Sequence, residues 1–182
     1  MSIRTKIAGD LDRQFSALGF AEQGVQSLRA GADVSLRTLY KYFPSREAMI
    51  LGALEHRDKA YFEWLTGGPI DGVEHVLHPI VKLGEWLENV ANTGCLFMTA
   101  LADHPNNDAI AEAVRAHKAR LADEFRRRLR TIAPDRRTDH LAETLFLLHE
   151  GMTQTARLHG HAKATEAALD AARAALAGHG IT

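Results

Sequence analysis

The sequence predicts an all-α protein built in two parts, and three observations carry that reading. Apolar residues recur at helical spacing along nearly the whole chain. One stretch, Gly24 to Glu47, reads as a helix, a tight turn and a second short helix turned outward. The strongest break in the chain, Thr66-Gly67-Gly68-Pro69-Ile70-Asp71-Gly72, then separates the part bearing that stretch from the remaining C-terminal helices.

Ile3, Ile7, Leu11, Phe15 and Leu18 place an amphipathic helix over residues 3 to 18, which should brace the helix pair behind it. Gly19 ends it, and Phe20 supplies the apolar contact that often accompanies such a stop. Arg4 and Lys6 on its polar face read as a solvated helix end. In the pair itself, Val25, Leu28 and Ala32 form the buried face of the first helix, and Leu36, Leu39 and Phe43 that of the second. The connection Ala32-Asp33-Val34-Ser35 is too short to wander, so the helices must cross steeply. Ser35 is placed to N-cap the second helix.

This is helix-turn-helix geometry, with Arg37, Thr38, Lys41 and Tyr42 left on the outward face. Two cations, a hydroxyl and an aromatic with a polar tip suit the groove and backbone of DNA. Pro44-Ser45-Arg46-Glu47 opens a further helix, where free backbone N–H groups and Arg46 could hold a phosphate. Met49, Ala53, Leu54, Tyr61, Trp64 and Leu65 continue it as one long linker helix from 45 to about 65.

Beyond the break, Val73 to Asn92 is helical with Pro79 inside, either starting the main helix or kinking it. Cys95 to Ala102 is a short helix apolar almost all round, and therefore central. Val114, Leu121, Phe125, Leu129 and Ile132 mark a long helix from about 108 to 132, whose outer arginines, Arg126, Arg127, Arg128 and Arg130, read as solvated or paired with Asp123 and Glu124. The last two helices, about 138 to 159 and 163 to 177, carry a wide apolar face and an alanine-rich one. Small residues of the latter kind let helices approach closely.

The 182 residues, 46% hydrophobic and 25% charged, suffice for a good core. A net charge of −1 excludes a generally polybasic nucleic-acid coat, so any DNA contact must be a local basic face, which Arg37, Lys41 and Arg46 can supply. The single Cys95 excludes an intramolecular disulfide, and no signal peptide or apolar run approaching about 18 residues occurs, so a cytoplasmic location is expected. His75 with His78, and His159 with His161, lack the Cys or carboxylate partners of a closed metal site. No phosphate loop or nucleophile motif stands out. We expect no enzyme, no metal and no cofactor.

At the run A-D-V-S-L-R-T-L-Y-K-Y-F-P-S-R-E, residues 32 to 47, the sequence resembles the tetracycline-repressor (TetR) family of bacterial transcription regulators. The resemblance implies DNA-contact roles for Thr38, Tyr42 and Arg46, a packed position between the helices for Tyr40, and a dimer interface made by the last two helices. Three departures stand out. Asp33 occupies a turn position where the family usually has Gly, Gln23-Gly24 replaces the usual hydroxyl cap, and Gly31 lies within the first helix of the pair.

The reading is therefore a three-helix head, residues 1–50, joined by a linker helix to a ligand-binding and dimerisation body, residues 51–182. The expected function is that of a homodimeric regulator on a palindromic DNA operator, released by a small-molecule effector. Its DNA-contact candidates are Ser35, Arg37, Thr38, Lys41, Tyr42 and Arg46. In the body, Thr99, His117, His149 and Thr153 occur among Trp86, Phe97, Met98, Leu121, Phe125, Phe146 and Met152, a mostly apolar set that favours a hydrophobic neutral effector. A solid core is the alternative there. The alternative for the whole chain is a ligand-binding protein of the same fold that has lost operator binding.

Overall fold

The computed structural model describes residues 2–21, 23–91 and 94–182. Among them are nine helices and no strand: α1 (Ile3–Leu18), α2 (Val25–Gly31), α3 (Leu36–Tyr42), α4 (Arg46–Trp64), α5 (Gly72–Asn89), α6 (Leu96–Asp103), α7 (Asp108–Ile132), α8 (Asp139–His159) and α9 (His161–Gly178). Asn92 and Thr93, where the sequence pattern ends one helix and breaks before the next, lie outside the described residues.

The chain divides into two compact units, Met1–Glu63 with Cys95–His117, and Trp64–Gly94 with Lys118–Thr182. In the first, Ile7, Leu11, Phe15, Leu28, Leu39, Phe43, Met49 and Ile50 share one core with Leu96, Phe97, Ala100, Ile110 and Val114. The position at 50/51 where the sequence reading divides the chain therefore falls within α4, and α6 packs into the same core as the head helices. α6 is apolar on nearly every side, and that core covers Leu96, Phe97 and Ala100 while Met98 stays exposed. Phe20 is fully buried and stacks on Phe15 with ring centroids 4.6 Å apart, beside the stop at Gly19.

Polar staples to carbonyls at and near the helix ends complete this unit. Lys6 donates to Ala32 O (3.0 Å), Gln14 to Leu28 O (3.2 Å), and Gln23 to Gln14 O (2.8 Å) and Gly19 O (3.0 Å). Lys6 is thus part of the head's internal bracing rather than a solvated end. Arg57 of α4 grips the buried Asp12 of α1 through two hydrogen bonds and reaches Ser16 at 2.7 Å.

In the second unit α8 packs on α9, and both pack on α5. Pro79 lies inside α5 and has no N–H for the carbonyl of His75, one helical turn earlier. Arg128 of α7 donates to that carbonyl at 2.9 Å. Two outer arginines of the run are paired, Arg126 with Asp123 and Glu143 and Arg127 with Glu124, while Arg130 is exposed. Arg128 itself, at 2% exposure, is an inside residue. Ala172, in the alanine-rich helix, is fully buried within its own chain, while Gly151 and Ala167 remain exposed.

Candidate nucleic-acid interface

The head motif starts from the way α2 stops. Asp33 N–H donates to Ala30 O (3.1 Å) and Val34 N–H to Arg29 O (3.3 Å), the paired bonds of a Schellman ending. Such an ending needs a left-handed residue, and Asp33 supplies it at φ 50°. Val34 then packs against the core. The extended backbone of Ser35 starts α3, and its hydroxyl accepts from Thr38 N–H at 3.0 Å while lying 2.8 Å from the Thr38 hydroxyl. Leu39 and Phe43, both buried, anchor the short helix.

The face this leaves outward differs in part from the expected one. Ser35, Arg37 and Lys41 are exposed, Thr38 is half-buried, and Tyr42 is half-buried with its ring against the core. Leu36 and Tyr40, expected inside, are 36% and 41% exposed. Leu36, about 60° around the axis from Leu39, and Tyr40, about 100° from it, lie at the edges of the face that this seven-residue helix buries. Tyr40 therefore joins the outward set. The signal that could have found it is its i, i+4 pairing with Leu36 on a helix too short to be buried all round.

Arg46 also departs from expectation. Its guanidinium donates to the carbonyls of Phe20 and Gln23, so it ties the α1–α2 connection to the start of α4. Two of its five N–H groups are thereby directed into the head. Gln23, which replaces the hydroxyl cap of α2, is spent on the end of α1, and Gly24 caps α2 without a side chain. Gly31 has a packing reason: a β-carbon there would sit 2.2 Å from the Gln14 amide that staples α1 to α2. The missing side chain makes room for a bond that a larger residue would displace.

Two cations are thus presented without a carboxylate partner among the described residues, Arg37 and Lys41. Lys41 Nζ lies 5.4 Å from the Tyr42 ring centre. One face of α3 consequently offers Ser35, Arg37, Thr38, Tyr40, Lys41 and Tyr42: positive charge, hydroxyl groups and aromatic surface.

The expected effector residues fall in both units. In the first, Phe97 stacks on His117 at 3.8 Å with the planes 5° apart, and His117 Nδ1 lies 2.7 Å from Asp58 Oδ1. Met98 is 39% exposed. In the second, Leu121 and Phe125 are fully buried, Phe146 is half-buried, and His149 meets Phe125 edge-on at 6.0 Å. Burial would raise the neighbouring Glu150 carboxyl, but hydrogen bonding and charge from His149 and Lys118 bring it down to about 2. Trp86 meets Trp64 edge-on at 5.7 Å. Met152 lines an open groove of about 230 Å³ between α8 and α9, with Leu147, Gly151, Ala164 and Ala168.

No helix among the described residues is long and apolar enough to cross a membrane. No family model and no curated protein matches this sequence. Solved structures do match the fold over almost the full chain. A TetR-family transcriptional regulator from Streptomyces coelicolor aligns with a TM-score of 0.87 at 23% identity, over 97% of this chain and 95% of that one. A TetR regulator from Chloroflexus aurantiacus gives 0.80 at 19% identity over 96% and 94%. One from Cytophaga hutchinsonii gives 0.72 at 14% over 96% and 93%. The chain has the fold of the TetR-family transcriptional regulators.

Proposed function

We propose that the protein is a DNA-binding transcription regulator that acts as a homodimer and is released from its operator by a hydrophobic small molecule. The observation that carries this reading is α3, whose exposed Arg37 and Lys41 have no carboxylate partner among the described residues and stand beside the hydroxyls of Ser35 and Thr38. Unpaired cations on a rigidly capped helix cost little at an exposed surface and are well suited to phosphates and base edges. Arg37, Lys41, Ser35, Thr38 and Tyr42 are the proposed contacts, with Tyr40 added. Arg46 is assigned a positioning role, holding the α1–α2 connection in place.

Two such heads reading successive major grooves require two-fold symmetry and half-sites about 34 Å apart, hence a roughly palindromic operator. The groove between α8 and α9, with the 66%-exposed Leu147 beside Gly151, supports pairing through these helices, the same patch meeting itself across a two-fold axis. The apolar residues Trp86, Leu121, Phe125, Phe146 and Met152 with His149, and Phe97 and Met98 with His117, support a hydrophobic effector. Its differential affinity for two arrangements of the dimer would set the response.

The test is a band-shift assay with the DNA upstream of the protein's own gene, combined with sedimentation of the complex. We expect a salt-sensitive shifted band containing an even number of chains, lost on Lys41→Glu while the melting temperature is unchanged. No shift with this or any other double-stranded segment, from a correctly folded dimer, would favour the alternative in which the fold is kept for ligand binding alone.

A further inference from the structure

The connection Leu65–Pro69, where α4 gives way to α5, is held by its own carbonyl groups. Arg128 donates through Nη2 to Leu65 O (3.3 Å) and Gly67 O (3.4 Å), and through Nη1 to His75 O (2.9 Å). His75 Nδ1 donates to Pro69 O at 2.6 Å. His78 forms a hydrogen bond with the Leu65 backbone. Gly67 and Gly68 lie at φ 85° and 88°, and the His78 ring fills the space where a β-carbon on Gly68 would stand, 2.4 Å from Nδ1. One buried guanidinium and two buried imidazoles thus fasten the first five of the seven residues between α4 and α5.

His78 can hold it in one protonation state only. Its Nε2 atom is buried without a hydrogen-bond partner among the described residues. In the neutral ring that atom is a bare lone pair, a tolerable loss; in the imidazolium it is an N–H donor with nowhere to donate. The charges around it also oppose a proton: burial, followed by Arg128 and Lys82, holds His78 below the ordinary imidazole value. The carboxylates nearby are already engaged: Glu124 of α7 by Arg127 and Arg128, Glu85 of α5 by Lys82, and Glu74 of α5 by Arg173 of α9. A group with a depressed value in the folded state stabilises above its unfolded value, about 6.5 for histidine, and that contribution is lost as the pH falls below it.

We propose that Leu65–Pro69 is an acid-released latch, closed while His78 is neutral and opened when it takes up a proton, with α5, α8 and α9 remaining folded. Opening hydrates the His78 ring and gives its new N–H an acceptor in water. This inference does not depend on DNA binding, and its test uses no DNA.

The chain has a natural reporter at this corner. Its two tryptophans are Trp64, whose indole donates to Lys82 O at 3.0 Å, and Trp86, edge-on to it. Acrylamide quenching of tryptophan fluorescence should roughly double between about pH 7.5 and about pH 5.5 as the corner loosens, at constant helical circular dichroism. In the His78→Asn variant, where the amide can replace the Nδ1 donor but cannot titrate in this range, the step should vanish. If that variant does not fold, His78→Gln should remove the step in the same way. A flat profile in the wild type, a step that survives in the variants, or helicity lost together with the quenching change would each overturn the latch.

Discussion

Two stretches of this chain concentrate basic residues, and they use them in opposite ways. On α7, Arg126 and Arg127 are neutralised by carboxylates three residues before them and by Glu143, and Arg128 is turned inward to satisfy backbone carbonyls. On α3, Arg37 and Lys41 have neither a carboxylate nor a carbonyl partner among the described residues. Three of the four α7 arginines are therefore structurally engaged, leaving the exposed Arg130, whereas both α3 cations are available to an external anion. Number of cations is a poor guide to a nucleic-acid face; what matters is whether the fold has already provided their counter-charges.

The comparison can first be broken from the α7 side. Arg128→Met should cost about 3–5 kcal/mol, because it leaves the carbonyls of His75, Leu65 and Gly67 unpaired inside the protein and removes a partner of Glu124. Arg127→Ala, on an exposed pair, should stay within about 0.5 kcal/mol. Urea unfolding of both variants measures this. Equal costs would mean that the inward and outward arginines are not distinguished energetically.

A smaller effect sharpens the α3 side, where the two cations depend on a turn that stores some strain. Asp33 holds φ 50°, a conformation glycine adopts freely, so Asp33→Gly should stabilise the protein by up to about 1 kcal/mol. Thermal unfolding would register this as a rise in melting temperature. A fall would indicate that the Asp side chain contributes more to the turn than its backbone costs.

Much of the molecule is legible in the sequence because it rests on local patterns. The apolar spacing places α1 at Ile3–Leu18 and α7 at Asp108–Ile132, and Ser35 stands where a cap is needed. The positive φ at Asp33 is implied by the resemblance, which places a glycine at that turn position. Features that depend on distant backbone are not legible in this way. Arg46 meets carbonyls at Phe20 and Gln23, and Arg128 meets one at Leu65, partners that carry no side-chain signature. Gly31 reads as a weak point in a helix, yet Gln14 lies over it and uses the space. The placing of α6 in the head's core likewise requires knowing which apolar faces meet, since its own pattern says only that it is covered on most sides.

The central claim is that α3 supplies the cations that bind DNA and α7 does not. It is tested most directly by the salt dependence of operator affinity for the wild type, for Arg37→Ala with Lys41→Ala, and for Arg127→Ala with Arg130→Ala. Removing one cation from a phosphate should lower the slope of log affinity against log salt by about 0.9, so the α3 double variant should lose up to about 2 in slope if both cations bind phosphate. The α7 variant should match the wild type in affinity and slope. An unchanged slope and affinity in the α3 variant, or an equal loss in the α7 variant, would contradict the account.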